Sequence, residues 1–198
     1  MTVRHGQASV GIMNLAAWAE QTARTVLQDS LPRRWAHSQG VAARARALSQ
    51  AVGPDAELLE AAAWVHDIGY APGLDATGFH PLDGARYLRD VQHAGPVLCA
   101  LVAHHSYALV AAGDSDLARE LAVEFPDVPG PLLAALSYCD MTTSPDGAPV
   151  SFAWRLADIH ARYGDGHTVT EGINRSLPQL SAAIETVQLR QVRVPAAV

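Results

Sequence analysis

Five of the nine histidines, His37, His66, His80, His104 and His105, fall within or at the ends of the central apolar segments of this 198-residue chain. His66 and Asp67 close a strongly apolar run through Leu58, Leu59, Ala62, Ala63 and Val65, just before Gly69, where the chain can turn sharply. Asp140 ends the run Leu132 to Cys139 and shares a helical face with Leu133 and Leu136. His37 lies on one stripe with Arg34, Val41, Arg44 and Leu48, spaced by three or four residues. A carboxylate on a buried face costs several kcal/mol unless something positive pairs with it. Taken singly, each residue has a plain structural role, a histidine bonded to a carbonyl or an aspartate paired with arginine. Taken together, His66, Asp67 and Asp140 are explained by a divalent cation sitting among carboxylates and neutral imidazoles.

The elements that must hold these groups are helical, because apolar residues recur at helical spacing and alternating strand-like runs are missing. The pattern predicts helices near Ile12 to Gln28, Pro32 to Ala51, Asp55 to His66, Pro81 to Val91, Pro96 to Ala111, Ser115 to Glu124, Pro131 to Thr142, Phe152 to Arg162 and Thr170 to Gln191. Gly53-Pro54, Ala71-Pro72-Gly73, Gly95-Pro96, Pro129-Gly130-Pro131 and Ser144-Pro145-Asp146-Gly147 punctuate them. Pro178 should kink or split the last helix. The expected architecture is an all-α, single-domain bundle: an N-terminal helix over residues 1–30 packing on a core over 31–145, with C-terminal helices over 146–198 completing the same domain. A loose tail is expected from Val194 to Val198.

The array resembles the HD-domain metal-dependent phosphohydrolases, whose pattern is a His, a His-Asp pair and a distant Asp, all on helices. Here these are His37 in Arg34-Trp35-Ala36-His37, the pair in Ala63-Trp64-Val65-His66-Asp67-Ile68-Gly69, and Asp140 in Tyr138-Cys139-Asp140. The resemblance implies a helical bundle of the HD-domain type and a first metal held by His37, His66, Asp67 and Asp140, with catalysis centred on His66 and Asp67. Some relatives bind a second ion through histidines between the pair and the last Asp, which makes His80, His104 and His105 candidates and Asp67 the bridging ligand. His80, in Phe79-His80-Pro81-Leu82-Asp83-Gly84-Ala85, is similar to the branch that hydrolyses symmetric dinucleoside tetraphosphates. Adjacent histidines on a helix diverge by about 100°, so His104 and His105 need not both serve. Two departures stand out. Tyr70 follows His-Asp-Ile-Gly where many relatives have Lys, and Ser106-Tyr107 replaces the signature of cyclic-di-GMP phosphodiesterases.

The reading that follows is a hydrolase acting on a small phosphorylated substrate, a nucleotide in the first instance, with one or two ions of Mn, Fe, Co, Ni or Zn, which suit mixed imidazole and carboxylate ligands. Arg34 and Arg44 are candidates for holding the substrate phosphate or, alternatively, solvated charges. Trp35, Trp64 and Tyr107 could stack on a base or belong to the core. The same cluster could serve a di-iron oxygenase or a regulatory module without turnover. A net charge of −6, with all 14 positive side chains arginine, provides no basic field for long nucleic acid. Cys99 and Cys139 lie in apolar runs without metal or redox spacing. With no signal-like segment and no apolar stretch of about 18 residues, a cytoplasmic protein without membrane contact is expected.

Overall fold

The computed structural model describes residues 14–126 and 128–193, and among them the only extended pairing is an isolated antiparallel bridge of Thr143 with Pro149. The helices are α1 (Leu15–Leu27), α2 (Pro32–Ala47), the short α3 (Ser49–Val52), α4 (Ala56–Val65), α5 (His80–Asp90), α6 (Pro96–His104), the short α7 (Ala108–Ala112), α8 (Asp116–Glu124), α9 (Gly130–Met141), α10 (Phe152–Tyr163) and α11 (Thr168–Arg193). Their starts follow from local chemistry. Asn14, Ser115 and Ser151 each accept a hydrogen bond from the backbone N–H three residues on, capping α1, α8 and α10. Proline opens α2, α5, α6 and α9, where its missing N–H has no helical partner to lose. The start expected at Ile12 and the tail from Val194 lie outside the described residues.

One contiguous core runs from Ala19 in α1 to Val187 in α11. Every residue of α9 from Leu132 to Met141 is buried, so α9 is wrapped on all sides, whereas a single apolar face would have sufficed for an edge helix. Asp140 is therefore enclosed, not merely on an apolar face. Leu59, Leu101 and Leu136 are fully buried, each contributing about 2 kcal/mol of apolar transfer. Trp35 and Trp64 stack at 5.4 Å and pack α2 on α4, which places both in the core. Cys99 and Cys139 are buried free thiols, and burial pushes Cys139 up to about 12.

Two expected boundaries are corrected, and of the two outcomes expected at Pro178 the split does not occur. The helix predicted over Pro96 to Ala111 breaks at His105, where the chain turns extended and then left-handed at Ser106 and Tyr107 (φ 50° and 58°), before α7 starts in a new direction. The helix predicted over Pro32 to Ala51 ends at Ala47, with Leu48 separating it from α3. The last helix passes through Pro178 without splitting. Pro178 and Asn174, the residue whose carbonyl loses its partner, are both exposed, so water can satisfy that carbonyl, while Leu180, Ala183, Ile184 and Val187 hold the helix to the core.

Two glycine contacts set the spacing around the site. A Cβ on Gly69 would stand 2.0 Å from the carbonyl oxygen of His80, and one on Gly84 3.1 Å from the nitrogen of Gly69, so the turn after Asp67 lies directly on the start of α5. Gly69 thus serves close approach rather than a special turn conformation. A Cβ on Gly40 would likewise stand 2.3 Å from the carbonyl oxygen of Gly147, which seats the loop after α9 on α2.

Candidate metal centre

Five elements meet at one buried point: His37 from mid-α2, His66 and Asp67 from the end of α4, His80 from the first residue of α5, His105 from the break after α6, and Asp140 from α9. The two oxygens of Asp67 face different partners. Oδ2 lies 3.3 Å from His66 Nε2 and 3.8 Å from His37 Nε2, while Oδ1 lies 3.4 Å from His80 Nε2 and 3.7 Å from His105 Nε2. Asp140 Oδ1 closes the first group at 3.0 Å from His37 Nε2 and 4.0 Å from His66 Nε2. Ligand atoms about 2.1 Å from a shared ion stand about 3.0 to 3.5 Å apart, a range that the 3.0, 3.3 and 3.4 Å separations meet and the 3.7, 3.8 and 4.0 Å ones exceed by about 0.5 Å or less.

The backbone fixes which ring nitrogen is offered. Nδ1 of His37 donates to the Ser144 carbonyl at 2.9 Å, that of His66 to Ala63 at 2.8 Å, and that of His105 to Val102 at 2.7 Å. In the neutral rings Nε2 then carries a lone pair aimed into the cluster. Two consequences test the fit of a cation. The Nε2 of His66 is buried with no hydrogen-bond partner. The Nε2 of His37 faces a carboxylate oxygen, and that of His105 faces His80 Nε2 at 3.1 Å, contacts that a proton or a cation must mediate. The donor set of imidazole and carboxylate suits a divalent transition metal. Residues 34–141, more than half of the chain, match the HD domain. The chain belongs to the HD domain family. No curated protein and no solved structure matches it.

Within this HD domain the electrostatics favour ionised carboxylates and push the imidazoles of the cluster in different directions. Burial alone would raise Asp67, but the Arg34 guanidinium and His66 hold it well below the usual carboxylate range. Asp140 is likewise held low against its burial, by the hydrogen bond from His37 and by His66. Burial drives His80 and His105 down, with His105 adding to the effect on His80 and His66 to that on His105, which favours the neutral form that can ligate. His66 moves up against its burial because Asp67 and Asp140 favour its charged form. Arg34 Nη1 donates to Asp67 Oδ2 at 2.7 Å.

Two of the sequence candidates are placed elsewhere. His104 is buried but turned away, its Nε2 donating to the Phe125 carbonyl at 2.6 Å, so the divergence of the adjacent histidines puts only His105 in the cluster. Arg44 donates to the carbonyls of Thr142 at 3.0 Å and Val150 at 3.5 Å, which ties down the loop after α9 and leaves it away from the cleft. Arg34 does reach the site, lying between Asp67 and the face of Tyr70, 4.1 Å from the ring centroid.

Other residues at this site had no role assigned from the sequence, where Tyr70 and Ser106 stood only as departures from the family pattern. The Ser106 hydroxyl donates to Asp140 Oδ2 at 2.5 Å, held there by the left-handed backbone of Ser106 and Tyr107 and by the bond from Ser106 N to Ser137 Oγ at 3.1 Å. Tyr70 stacks on His80 at 3.8 Å. Arg155 on α10 is buried, its Nη2 4.0 Å from Asp140 Oδ1 and its Nε without a partner. Only the proximity of Ser106 to the paired histidines could have flagged any of them; Arg155 depends on how α10 folds back. Asp67, His80, His105, Ser106 and Asp140 open onto a cleft of about 490 Å³, and Arg34, Arg155 and Arg162 separate it from a second cavity of about 320 Å³ beside His37. No helix of the described residues is long and apolar enough to cross a membrane.

Proposed function

We propose that this HD domain is a metal-dependent phosphohydrolase, cleaving a phosphoester or phosphoanhydride bond of a small phosphorylated compound. The observation that carries the reading is Asp67, whose two oxygens address two separate histidine groups at the floor of a cleft. His37, His66, Asp67 and Asp140 would hold one ion, and Asp67, His80 and His105 a second. Bound there, divalent ions make water a competent nucleophile near neutral pH and neutralise charge on phosphoryl oxygens.

The chain's own groups have definable tasks. The carbonyls of Ser144, Ala63 and Val102 orient three imidazoles, and the Ser106 hydroxyl holds one oxygen of Asp140 so that the other faces His37. Arg34 neutralises Asp67 when no cation does, and with Arg155 it supplies guanidinium donors at the cleft for phosphoryl oxygens. Burial of the cluster strengthens each of these interactions relative to water.

The test is elemental analysis of the purified chain and of Asp67→Ala, followed by phosphate release from a panel of phosphate esters and nucleotides with Mn²⁺, Fe²⁺, Co²⁺, Ni²⁺ and Zn²⁺. Stoichiometric metal that falls in the variant, with metal-dependent phosphate release, supports the hydrolase. Metal without phosphate release, accompanied by O₂ consumption in the iron form, would replace it with an oxygenase. Absence of metal in both chains would sink the reading.

A further inference from the structure

The wall of the cleft opposite the cluster comes largely from α10 and α11, beyond the segment matched to the HD domain, and its chemistry differs from the floor. Ile159, Tyr163, Val169 and Ile173 form it, with Ala108 and Leu117 alongside. Among the described residues that line the cleft there is no Asn, Gln or Glu, and its aspartates are Asp67 and Asp140, both committed to the cluster. Of the polar groups near this wall, Ser115 Oγ accepts from Ala118 N, Arg175 donates to the Ala111 carbonyl at 2.6 Å, and Arg162 donates to Asp158 at 3.0 Å, which leaves, among the described residues, the hydroxyls of Tyr163 and Thr168 as the wall's uncommitted side-chain donors.

A nucleobase carries several donors and acceptors on its edge. A site built for one supplies partners, because each unpaired polar group left in an enclosed pocket costs binding energy. This wall supplies few. It supplies apolar area, and the cleft volume is that of an ordinary small-molecule site. At the other end, Arg155 lines the cleft with its side chain 8% exposed, Nη1 3.2 Å from Asp158 Oδ2 and Nη2 4.0 Å from Asp140 Oδ1, so a guanidinium charge stands where an anionic group would meet the cluster.

We propose that the occupant is a phosphomonoester of an apolar alcohol or phenol, its phosphoryl group against Arg34 and Arg155 and its hydrocarbon against Ile159, Val169 and Ile173. This rests on the hydrolase reading for its reaction: water forms the new P–O bond, the ester P–O bond breaks, and the proton released by water ends on the leaving oxygen, giving phosphate and the free alcohol. The choice of occupant rests on the wall alone.

The experiment is calorimetric titration of the full chain, loaded with Mn²⁺, with two non-hydrolysable phosphonates, (1-naphthyl)methylphosphonate and the methylene analogue of adenosine 5′-monophosphate. Binding of the naphthyl compound at least tenfold tighter is expected, with the preference lost in Ile173→Glu, reduced in the milder Ile173→Ala, and metal content unchanged in both. Equal binding, preference for the adenosine analogue, or binding of neither overturns the assignment. Turnover of 1-naphthyl phosphate and of adenosine monophosphate is read separately. Preferred naphthyl binding without turnover of either ester leaves the occupant standing and removes the hydrolase, whereas turnover confined to the nucleotide removes the occupant and keeps the hydrolase.

Discussion

Arg34 and a bound cation compete for the same carboxylate. The guanidinium donates to Asp67 at 2.7 Å and keeps it ionised in a buried place; a cation held by Asp67 would be a nearer partner and would free Arg34 for the cleft. Removing one member of a buried pair leaves an uncompensated charge and costs about 3 to 5 kcal/mol. Arg34→Met is therefore expected to destabilise the metal-free chain by about 3 kcal/mol and the metal-loaded chain by less than about 1 kcal/mol, as read from urea unfolding with and without chelator. An equal loss in both states would show that Asp67 is not a ligand. The adjacent histidines give a second contrast at this scale. His105→Ala should lower the metal content by one equivalent without requiring a loss of fold. His104→Ala should leave the metal content unchanged and cost about 1 to 3 kcal/mol, because the buried Phe125 carbonyl loses its donor. Metal analysis and thermal melts of the two variants separate the roles, and metal loss in the His104 variant would contradict the placement of its ring.

The elements around the site are held by packing on one side and by ion pairs on the other. Arg86 and Arg89 of α5 grip Glu120 and Glu124 of α8, with Arg89 Nη1 2.7 Å from Glu124 Oε2 and Arg86 Nη2 2.7 Å from Glu120 Oε2. Hydrogen bonds from Arg86 and then Arg89 hold the Glu124 carboxyl below its ordinary value. A depressed folded pKa means that the stabilisation is present above the unfolded value of about 4.3 and disappears as pH falls through the folded one. Glu124→Gln should cost no more than about 1 kcal/mol at pH 7, since the pair is partly solvated. That difference should stay level down to about pH 5 and shrink below about pH 4, as measured by urea unfolding across the series; a difference that grows on acidification would contradict the assignment. The helices themselves were legible in the sequence because periodicity, proline starts and serine caps all agree. The break at His105 was not. It interrupts an apolar run without glycine or proline, and the left-handed Ser106 and Tyr107 are stabilised by Ser137 and Asp140, which only the tertiary structure brings near.

At the scale of the whole molecule, six candidate ligand residues from five elements converge, and the unfolded chain has no such site. His66, Asp67 and Asp140 were readable from the sequence because buried charge on apolar helices needs explaining, and His37 through the resemblance to the HD pattern. Arg155 and the apolar wall were not readable, because α10 and α11 reach the cleft only through long-range packing against α9 and α7. On the proposed reading, this convergence would make metal binding and folding one equilibrium. At a free ion concentration about a hundredfold above the dissociation constant, one ion that binds only the folded chain contributes about 2.7 kcal/mol. A chain of this size shifts its melting temperature by about 2 to 4 °C per kcal/mol. Chelation should therefore lower the melting temperature by about 5 to 11 °C for one such ion, with the circular dichroism at 25 °C little changed, since the Arg34 pair and the apolar core persist without metal. The His66→Ala/Asp67→Ala double variant should show no response to chelator or to added metal. Equal shifts in the wild-type and double-variant chains would mean that the ion acts somewhere other than this cluster, and no shift in the wild type would remove the metal from the account of its stability.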